Sequence, residues 1–600
     1  MAERAEAGWV LPEEECDLVM RGGVTSGAVY PSALIEIAKR YQLRNIGGAS
    51  AGAIAAVGAA ACEFGRRTNP AAYARLEKVI EEVTTEGFVL NLFQPKEETR
   101  LAFDIGLEAV SAQSEPYVRR VVRALASLLR RRTRSLVQGG ILLAVWVAAV
   151  VAVSVALAAG PAWLGIVGLS LLAVLAFVGI AMLVVALPFR GFAMELNRAL
   201  LDKGLGLCSG MTEKGRREGS GLTDWLYTTI QDCAGKPHDQ PLTFSDLAVN
   251  STNPLLSLQL VTTDLSASRP VVLPLSSSDP ASLPFLFEPS EFGRLFPAQV
   301  VDQLVGSSSP RSKTLDGRPL YELPGLGLPV VVAARLSLSF PVLLETVPLW
   351  KEDGPNGEPV RHTMADGGIS SNFPIHFFDA LFPGRPTFGL DLQPLRGSAK
   401  RVDMSRDPRP LLTEVSDLAT FGTQIVNAAR NWRDNMEAEL LGYRDRVCQI
   451  RLDTHEGGLN LGMNRRVLKG LVQTGRDAGR LVVSQSSPEW WDEHRLTRYR
   501  MLMQSLQFGL GRKGVGRDCV YNPQEGTNCG RRVPFRERLE ACANGTFTLP
   551  GATPTWCRSA LPASDALFAE AIRLGPEGSI DFDDAEAPKP RPAMRIVPGV

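Results

Sequence analysis

The longest apolar stretch of the chain runs from residue 135 to residue 189 and contains no charged residue. About 20 apolar residues suffice for one helical crossing of a membrane, so this stretch is long enough for two. Gly160 and Pro161 lie near its middle, where a helix-stopping pair favours a turn. The pattern predicts a transmembrane hairpin with helices over about 137–159 and 162–187.

Shorter apolar runs before this hairpin alternate with helical patterns. "CDLVM", from Cys16 to Met20, predicts a buried strand, and a helix over about 28–40 follows the loop "RGGVTSG". A second strand around 43–46 continues through "GGASAG" into a helix that ends near residue 67. Two successive strand-helix units predict a parallel sheet in an α/β fold, with loops at the carboxyl ends of its strands.

After the hairpin the pattern is strand-like at first and helical later. Four further apolar runs predict strands: "LSLQLVTTDL" (256–265), "RPVVLPL" (269–275), "GLPVVVAARLSLSFPVLL" (327–344) and "TFGLDL" (387–392). Helical periodicity dominates 411–485 and is interrupted by "VCQIRLDT" (447–454). These patterns predict an α/β core in two parts (12–100 and 241–395), a basic helix and the hairpin between them (101–200), a polar linker (201–240) and a mostly helical C-terminal extension (396–600).

Charge refines this picture at the hairpin. The 64 Lys and Arg residues balance the 64 Asp and Glu residues, so we expect no nucleic-acid partner. Arginines are concentrated before the hairpin in segment 119–134, and Arg190 follows it, which predicts that both termini face the cytoplasm, at a bacterial inner membrane. The arginine-rich segment either contacts anionic lipid headgroups or only fixes this orientation. We expect no secretory signal, because the N-terminus lacks its pattern.

The turn after the second predicted strand contains Ser50 in the pattern GxSxG. A serine hydroxyl becomes nucleophilic when a base accepts its proton, and a tight strand-to-helix turn exposes it at a helix N-terminus. Gly48 and Gly52 supply the small neighbours that such a nucleophile elbow requires. The pattern is short enough to arise by chance in a chain with 56 glycines, which is the alternative interpretation.

Glycines also occupy the loop after the first predicted strand, at Gly22, Gly23 and Gly27. Backbone N–H groups in such a loop can stabilise the oxyanion that forms when a carbonyl is attacked. An ordinary strand-helix turn is the alternative. Nucleotide phosphate binding fits less well, since the loop lacks the dinucleotide glycine spacing and the lysine of a P-loop.

A third motif places Asp366 at the end of a short strand-like segment, followed by Gly367 and Gly368. At a sheet edge beside the Ser50 turn, its carboxylate can act as a base. Asp-Gly is also a common surface turn, although the apolar "ISSNFPIHFF" after it favours a buried position.

No metal site or cofactor is predicted. His362 and Asp366 offer two ligands, with no third at ligand spacing beside them. The C-terminal region contains four cysteines without CxxC spacing or a following histidine, which leaves zinc binding and disulfides as open alternatives for Cys519, Cys529, Cys542 and Cys557.

In this order, the glycine loop, GxSxG and DGG resemble the motifs of the patatin-like phospholipase family, over about 16–62 and 256–392. The resemblance implies a three-layer α/β/α core with a mainly parallel sheet, and hydrolysis of acyl esters by a serine-aspartate dyad without a cofactor. It makes Ser50 the nucleophile and Asp366 its base, and it assigns three residues to the oxyanion loop: Gly22, Gly23 and Gly27. The implied substrate is a membrane phospholipid or another acyl lipid, at the lipid bilayer.

Two positions depart from the usual loop of that family, because Val24 replaces a third glycine and Ser26 replaces a basic residue. A valine restricts the backbone at this place. The departure favours an alternative function, a membrane scaffold or regulatory protein with an impaired hydrolase fold. The region after Arg396, including "RLDTHEGGLNLGM", resembles a bacterial patatin-like subgroup called RpoH suppressor.

A Ser-His-Asp triad is the chemical rival of the dyad, with a base that follows Asp366: His376, His455 or His494. Membrane topology constrains both versions. Ser50 precedes the predicted hairpin and Asp366 follows it, so they meet on one side of the membrane only if the number of crossings is even, as it is for a hairpin.

Overall fold

The computed structural model describes most of the chain outside its predicted hairpin. It covers 11–111, 204–248, 256–275, 283–404, 418–506 and 535–573, with gaps inside these ranges at 24, 67, 70–71, 214–218, 316, 381–382, 396, 398, 440–441, 454, 459 and 549–551. The predicted hairpin and its basic flank lie outside the described residues, apart from isolated positions such as Trp146. Within the described residues, no helix has both the length and the apolar character needed to cross a membrane.

The strands of the described residues are numbered in chain order. They are β1 (Glu14–Met20), β2 (Tyr41–Ala49), β3 (Gly206–Cys208), β4 (Ser257–Asp264), β5 (Arg269–Leu273), β6 (Leu286–Phe287), β7 (Pro310–Leu315), β8 (Arg318–Glu322), β9 (Val342–Leu344), β10 (Val347–Lys351), β11 (Val360–Asp366), β12 (Thr387–Pro394), β13 (Val402–Asp403) and β14 (Val447–Leu452).

The α-helices are numbered in the same way. They are α1 (Tyr30–Ala38), α2 (Ala51–Gly65), α3 (Ala72–Val83), α4 (Phe88–Asn91), α5 (Arg100–Ser111), α6 (Leu222–Ala234), α7 (Phe244–Ala248), α8 (Pro289–Phe292), α9 (Ala298–Ser307), α10 (Val330–Ser337), α11 (Leu418–Glu439), α12 (Arg465–Gln485), α13 (Pro488–Leu506), α14 (Phe535–Ala543) and α15 (Pro554–Arg573).

Twelve of the described strands form one mixed sheet in the order β13-β14-β12-β1-β2-β4-β11-β10-β6-β8-β7, with β5 paired to β4. The consecutive strands β14, β12, β1, β2 and β4 pair in parallel. Antiparallel pairs extend the sheet from β4 through β11 and β10, and add β13 at the other edge. The predicted α/β class is confirmed, and the strands that carry the two glycine-containing turns are parallel as predicted.

Side chains of β1 alternate between two apolar cores, as successive residues of a strand must. Cys16, Leu18 and Met20 are buried in the larger core, which also contains residues of α1, α2 and α6. Val19 is buried in a second core together with Phe373. Apolar packing therefore covers both faces of the sheet at β1, which is typical of parallel strands.

The apolar run 327–344, predicted as a strand, forms helix α10 followed by β9. Every residue of α10 is buried. A helix that is buried on all sides lacks the periodic polar positions that distinguish it from a strand, so the strand prediction was wrong there.

Two predicted segments differ from what the structure contains. The range 201–240, predicted as a linker, includes β3 and the amphipathic helix α6, whose Leu226 and Ile230 are buried in the larger core. The longest polar stretch of this range, which indicated a linker, is 209–221. The C-terminal extension, predicted to begin at residue 396, contributes β13 and β14 to the same sheet as the core.

Candidate active site

Ser50 lies between the end of β2 and the start of α2, in a strained backbone conformation. Its φ is 55° and its ψ is −128°, a region that residues other than glycine rarely occupy. Its N–H donates to Ser337 Oγ at 3.1 Å, and the residue is buried. This conformation places the Ser50 side chain at the N-terminus of a 15-residue helix, where the helix dipole favours negative charge.

The two glycines of the GxSxG motif, Gly48 and Gly52, allow this turn because they have no side chains. A Cβ atom at Gly52 would lie 2.2 Å from the Met20 carbonyl oxygen, and one at Gly48 would lie 2.4 Å from the Gly52 carbonyl oxygen. Both obstacles are backbone atoms, which cannot rotate away. Only glycine therefore fits at either position, as a nucleophile elbow requires.

The register of three strands brings Asp366 to the level of Ser50. Ala49, the last residue of β2, is opposite Val261 of β4, and the next residue, Thr262, is opposite Asp366 of β11. Ser50 and Asp366 thus flank a single strand, with their backbones roughly 10 Å apart at ordinary strand spacing. Inward-pointing side chains shorten that separation, so the sheet places a hydroxyl and a carboxylate side by side.

The two carboxylate oxygens of Asp366 have different surroundings. Oδ1 accepts the Gly368 N–H at 2.8 Å, whereas Oδ2 is buried and has no hydrogen-bond partner among the described residues. Burial raises the pKa of Asp366 to about 6, although the Ser50 side chain, the Gly368 N–H and the Arg430 charge each lower it. Oδ2 is therefore available as a proton acceptor, on a group that is ionised near neutral pH.

The glycine loop lies against the elbow. The Gly22 N–H already donates to the Asn372 carbonyl at 2.9 Å, and a Cβ atom at Gly22 would lie 2.9 Å from Ser50 Cβ. Gly23 precedes Val24, which lies outside the described residues, and a Cβ atom at Gly27 would lie 3.1 Å from Ala51 Cβ. Gly22 and Gly27 therefore lie beside the elbow, whereas the nearest atom to a Cβ at Gly23 would be Ser26 Oγ, at 2.4 Å.

Helix α11 contributes residues that the sequence did not indicate. Arg430 Nε donates to the Gly368 carbonyl at 2.6 Å. Asp434 Oδ2 accepts the N–H groups of Asn372 at 2.9 Å and Phe373 at 2.8 Å. The sequence places Arg430 and Asp434 one helical turn apart, on the same face of α11. Nothing in their spacing says which loop they contact, so they could not have been found without the fold.

Gly367 and Gly368 form a short 3₁₀ turn directly after Asp366. A Cβ atom at Gly367 would lie 2.0 Å from the Val261 carbonyl oxygen, and one at Gly368 would lie 2.8 Å from Asp366 Oδ1. The DGG motif is therefore a close-packed turn against β4 and not a surface turn.

An apolar cavity of about 130 Å³ begins beside the elbow, at Gly27 and Ala51. One face of α2 forms its wall, through Ile54, Ala55 and Gly58. With a rise of 1.5 Å per residue, Ala51 and Gly58 are about 10 Å apart along the helix. The opposite side is lined by α3 and α6, through Leu76, Val79, Val83, Leu222, Trp225, Leu226 and Ile230.

The histidines of the rival triad have other surroundings. His494 Nδ1 lies 2.7 Å from Asp445 Oδ2, and His455 is exposed. The hydrogen bonds that the structure describes for Asp366 come from Gly368 and Ser50, and none comes from His376 or another histidine. His362, considered beside Asp366 as a ligand, lies 2.7 Å from Asp264 and 3.1 Å from Asp353.

One group in the described residues could hold a metal ion, and the sequence did not single it out. Ligand atoms of Asp453, His455 and Glu456 lie within 4.8 Å of one another. Glu456 already forms an ion pair with Arg401. Of the four C-terminal cysteines, two lie outside the described residues, and Cys542 and Cys557 are buried free thiols in a small apolar cluster with Leu539 and Ala543.

Comparison with known proteins gives one relative over the full length. No family model matches the chain. The RpoH suppressor of Rhizobium meliloti (strain 1021) is 30% identical over 668 aligned positions, which cover 98% of this chain and 99% of that protein. The crystal structure of VipD from Legionella pneumophila is 13% identical, covers 79% of this chain and 67% of that chain, and has a TM-score of 0.27, which is too low to support an inference. The resemblance that the region after Arg396 predicted is confirmed by the first of these matches: the chain belongs to the family of the RpoH suppressor.

Proposed function

We propose that this protein is a serine hydrolase that cleaves fatty acyl esters of membrane phospholipids or related lipids through an acyl-Ser50 intermediate. The observation that carries the proposal is that the Ser50 side chain interacts with the Asp366 carboxylate and that the next residue, Ala51, lines the apolar cavity. The motif resemblance to patatin-like phospholipases supports the same chemistry.

In the acylation step, Ser50 Oγ attacks the acyl carbonyl carbon while its proton passes to Asp366 Oδ2. Negative charge develops on the carbonyl oxygen at the N-terminus of α2. The first N–H groups of a helix have no intrahelical partner, so the Ala51 N–H is a suitable donor to this oxyanion. The Gly23 N–H is the second donor we infer, since the Gly22 N–H is held by Asn372.

The reaction is completed in two stages: the tetrahedral adduct collapses to the acyl-Ser50 ester, and water then hydrolyses this ester. The bond from the acyl carbon to the alcohol oxygen breaks, and the alcohol leaves with the proton from Asp366. Water then attacks the acyl-Ser50 ester, Asp366 accepts a proton from this water, and that proton returns to Ser50 as the fatty acid leaves. Asp366 acts alternately as base and acid, which suits a carboxyl whose pKa is raised to about 6.

The apolar cavity explains why a lipid is the proposed substrate class. Its lining along α2 consists of Ala51, Ile54, Ala55 and Gly58, which have no side-chain group to hydrogen-bond a polar head. A fatty acyl chain gains about 25 cal/mol for each Å² of apolar surface that it buries there. We propose that the acyl chain enters this cavity and that the headgroup stays outside. The transmembrane hairpin predicted over 137–187 would hold the site at the inner face of the membrane, where the substrate is concentrated.

The decisive experiment compares the purified full-length protein with its Ser50→Ala variant. Vesicles of phosphatidylcholine and phosphatidylethanolamine are incubated with each, and released fatty acid is measured. We expect the variant to lose activity by a factor of about 10³ or more, because no other group can form the acyl intermediate. A serine-directed fluorophosphonate should label the wild type and not the variant.

Ser484→Ala is the matched control, since Ser484 is an exposed serine on α12. It should keep both hydrolysis and labelling. Fatty acid release by Ser50→Ala at the wild-type rate would refute the assignment of Ser50. A wild-type protein that neither hydrolyses these lipids nor reacts with the probe would favour the alternative of a scaffold or regulatory protein.

A further inference from the structure

We propose that Arg430, in the C-terminal extension, is a positioning residue that orients the Asp366 carboxylate through Gly368. The inference rests on the proposed function, because it gives Arg430 a part in the same reaction. It also makes helix α11 a component of the catalytic unit and not a separate appendage.

The contacts form a continuous path from α11 to the reacting carboxylate. Arg430 Nε donates to the Gly368 carbonyl at 2.6 Å, and the Gly368 N–H donates to Asp366 Oδ1 at 2.8 Å. A Cβ atom at Gly368 would lie 2.8 Å from Asp366 Oδ1 and 3.4 Å from Arg430 Nη2. The three residues are therefore packed against one another, and fixing Gly368 fixes Oδ1 and leaves Oδ2 for Ser50.

Charge acts along the same path. Arg430 is the charged group that lowers the pKa of Asp366, in opposition to the burial that raises it. The Ser50 hydroxyl acts on the carboxylate from the elbow. Around Arg430, Asp434 faces it from the same helix and Arg21 faces it from the end of β1. Arg21 is itself paired with Asp391 at 2.7 Å. Loss of the Arg430 charge should therefore raise the pKa of Asp366 further.

Helix α11 is anchored so that Arg430 cannot easily move away. Asp434 is 2% exposed and holds the backbone of the loop after DGG through two N–H groups. Asn431 Oδ1 accepts from Arg21 Nη2 at 3.4 Å, which connects the helix to the strand before the glycine loop. These attachments tie α11 to the loop after DGG and to the end of β1, and Arg430 directly precedes Asn431 in the chain.

The test compares Arg430→Gln and Arg430→Lys in the full-length protein, with pH profiles of kcat and KM on a soluble acyl ester. We expect Arg430→Gln to lower kcat by about ten- to a hundredfold with little change in KM, and to move the acid limb of the kcat/KM profile to higher pH. Arg430→Lys should restore the acid limb, because it restores the charge, and should restore kcat only in part, because it lacks the guanidinium geometry. Arg480→Gln on α12, an exposed arginine, should behave as wild type.

Several results would overturn the inference. A wild-type kcat and acid limb in Arg430→Gln would do so, as would a loss of activity with an unmoved acid limb that lysine does not repair, since that is the result of a purely structural role. Each leaves the proposed function intact if the wild type is active. If the wild type is inactive, the proposed function fails. In that case, thermal unfolding of Arg430→Gln, Asp366→Asn and the double variant is compared at pH 8. Non-additive changes in melting temperature support the coupling of Arg430 to Asp366 through Gly368, and additive changes refute it.

Discussion

The two flanks of Ser50 differ in chemistry and in their origin along the chain. One flank is the apolar cavity, whose wall is α2, the helix that begins directly after Ser50. The other flank is the polar group around Asp366, assembled from β11, the DGG turn and the distant helix α11. An apolar wall can change shape without changing reactivity, whereas each polar contact affects the charge or direction of one carboxylate. We therefore expect the polar flank to determine the rate and the apolar flank to determine the chain length of the substrate.

Asp366→Asn tests the polar flank most severely. An asparagine side chain cannot accept the Ser50 proton, so we expect kcat to fall by a factor of about 10³ or more on any acyl ester. In the wild type, the rate should fall as the pH drops through about 6, because protonation of Asp366 removes the base. An Asp366→Asn variant that keeps wild-type kcat would mean that another group is the base.

The same variant should be more stable than the wild type, with a definite pH dependence. The pKa of Asp366 rises from 3.8 to about 6 on folding, so the folded state favours the protonated form. The protonated Asp366 therefore adds no penalty to folding below about pH 4, whereas the free energy of unfolding falls as the pH rises through 6 and the buried carboxyl ionises. Because one pKa unit corresponds to about 1.4 kcal/mol, removing the buried charge should stabilise the protein by about 3 kcal/mol at pH 8. Thermal unfolding at pH 8 and pH 4 measures this difference, which should fall to well under about 1 kcal/mol at pH 4.

The two flanks also differ in how far the sequence could predict them. Ser50, Gly48 and Gly52 are neighbours in the chain, and local backbone contacts require the glycines, so GxSxG located the turn, while the role of Ser50 came from the three motifs taken together. Asp366 was singled out by its DGG turn, which is just as local, and its role as the base comes from the motif resemblance and stays a prediction. Arg430 and Asp434 act through backbone groups of a distant loop, and a sequence contains no signal for a contact of that kind.

Elements that are buried on all sides were the other source of error. The strands predicted around 16–20, 43–46, 256–265 and 387–392 were correct in position, since their lengths and flanking turns distinguish them from helices. Helix α10 was predicted as a strand because it is buried on all sides, so its sequence lacks the periodic polar positions that mark a half-buried helix. It is nevertheless close to the site, since Ser337 at its end accepts the Ser50 N–H. The transmembrane hairpin stays a prediction.

Gly58→Leu tests the apolar flank. Gly58 lines the cavity one turn beyond Ile54 and Ala55, and the nearest atom to a Cβ at this position is Leu76 Cδ2, at 4.0 Å. A leucine there should occupy a part of the cavity about 10 Å along α2 from Ala51. We expect kcat/KM to fall about tenfold for long acyl esters and to change little for acetyl or butyryl esters.

The control for this variant is Gly106→Leu, since Gly106 is an exposed glycine on α5 with no atom within 4 Å of a Cβ. It should leave the preference for chain length unchanged. An equal loss on short and long esters in Gly58→Leu would show that the cavity does not hold the acyl chain.

Asp434→Asn should have the smallest effect, because an amide oxygen can still accept the two N–H groups of Asn372 and Phe373. Only the charge is lost, and hydrogen bonds to a neutral acceptor are weaker by about 1 kcal/mol. We expect kcat to fall a few-fold and the melting temperature to drop slightly, with Asp477→Asn on the exposed face of α12 as the neutral control. Asp434→Ala should be several times worse in both, since it leaves two buried N–H groups without an acceptor. If the asparagine and alanine variants lost the same kcat and melting temperature, the charge of Asp434, and not its hydrogen bonds to Asn372 and Phe373, would be what holds the Asp366 flank in place.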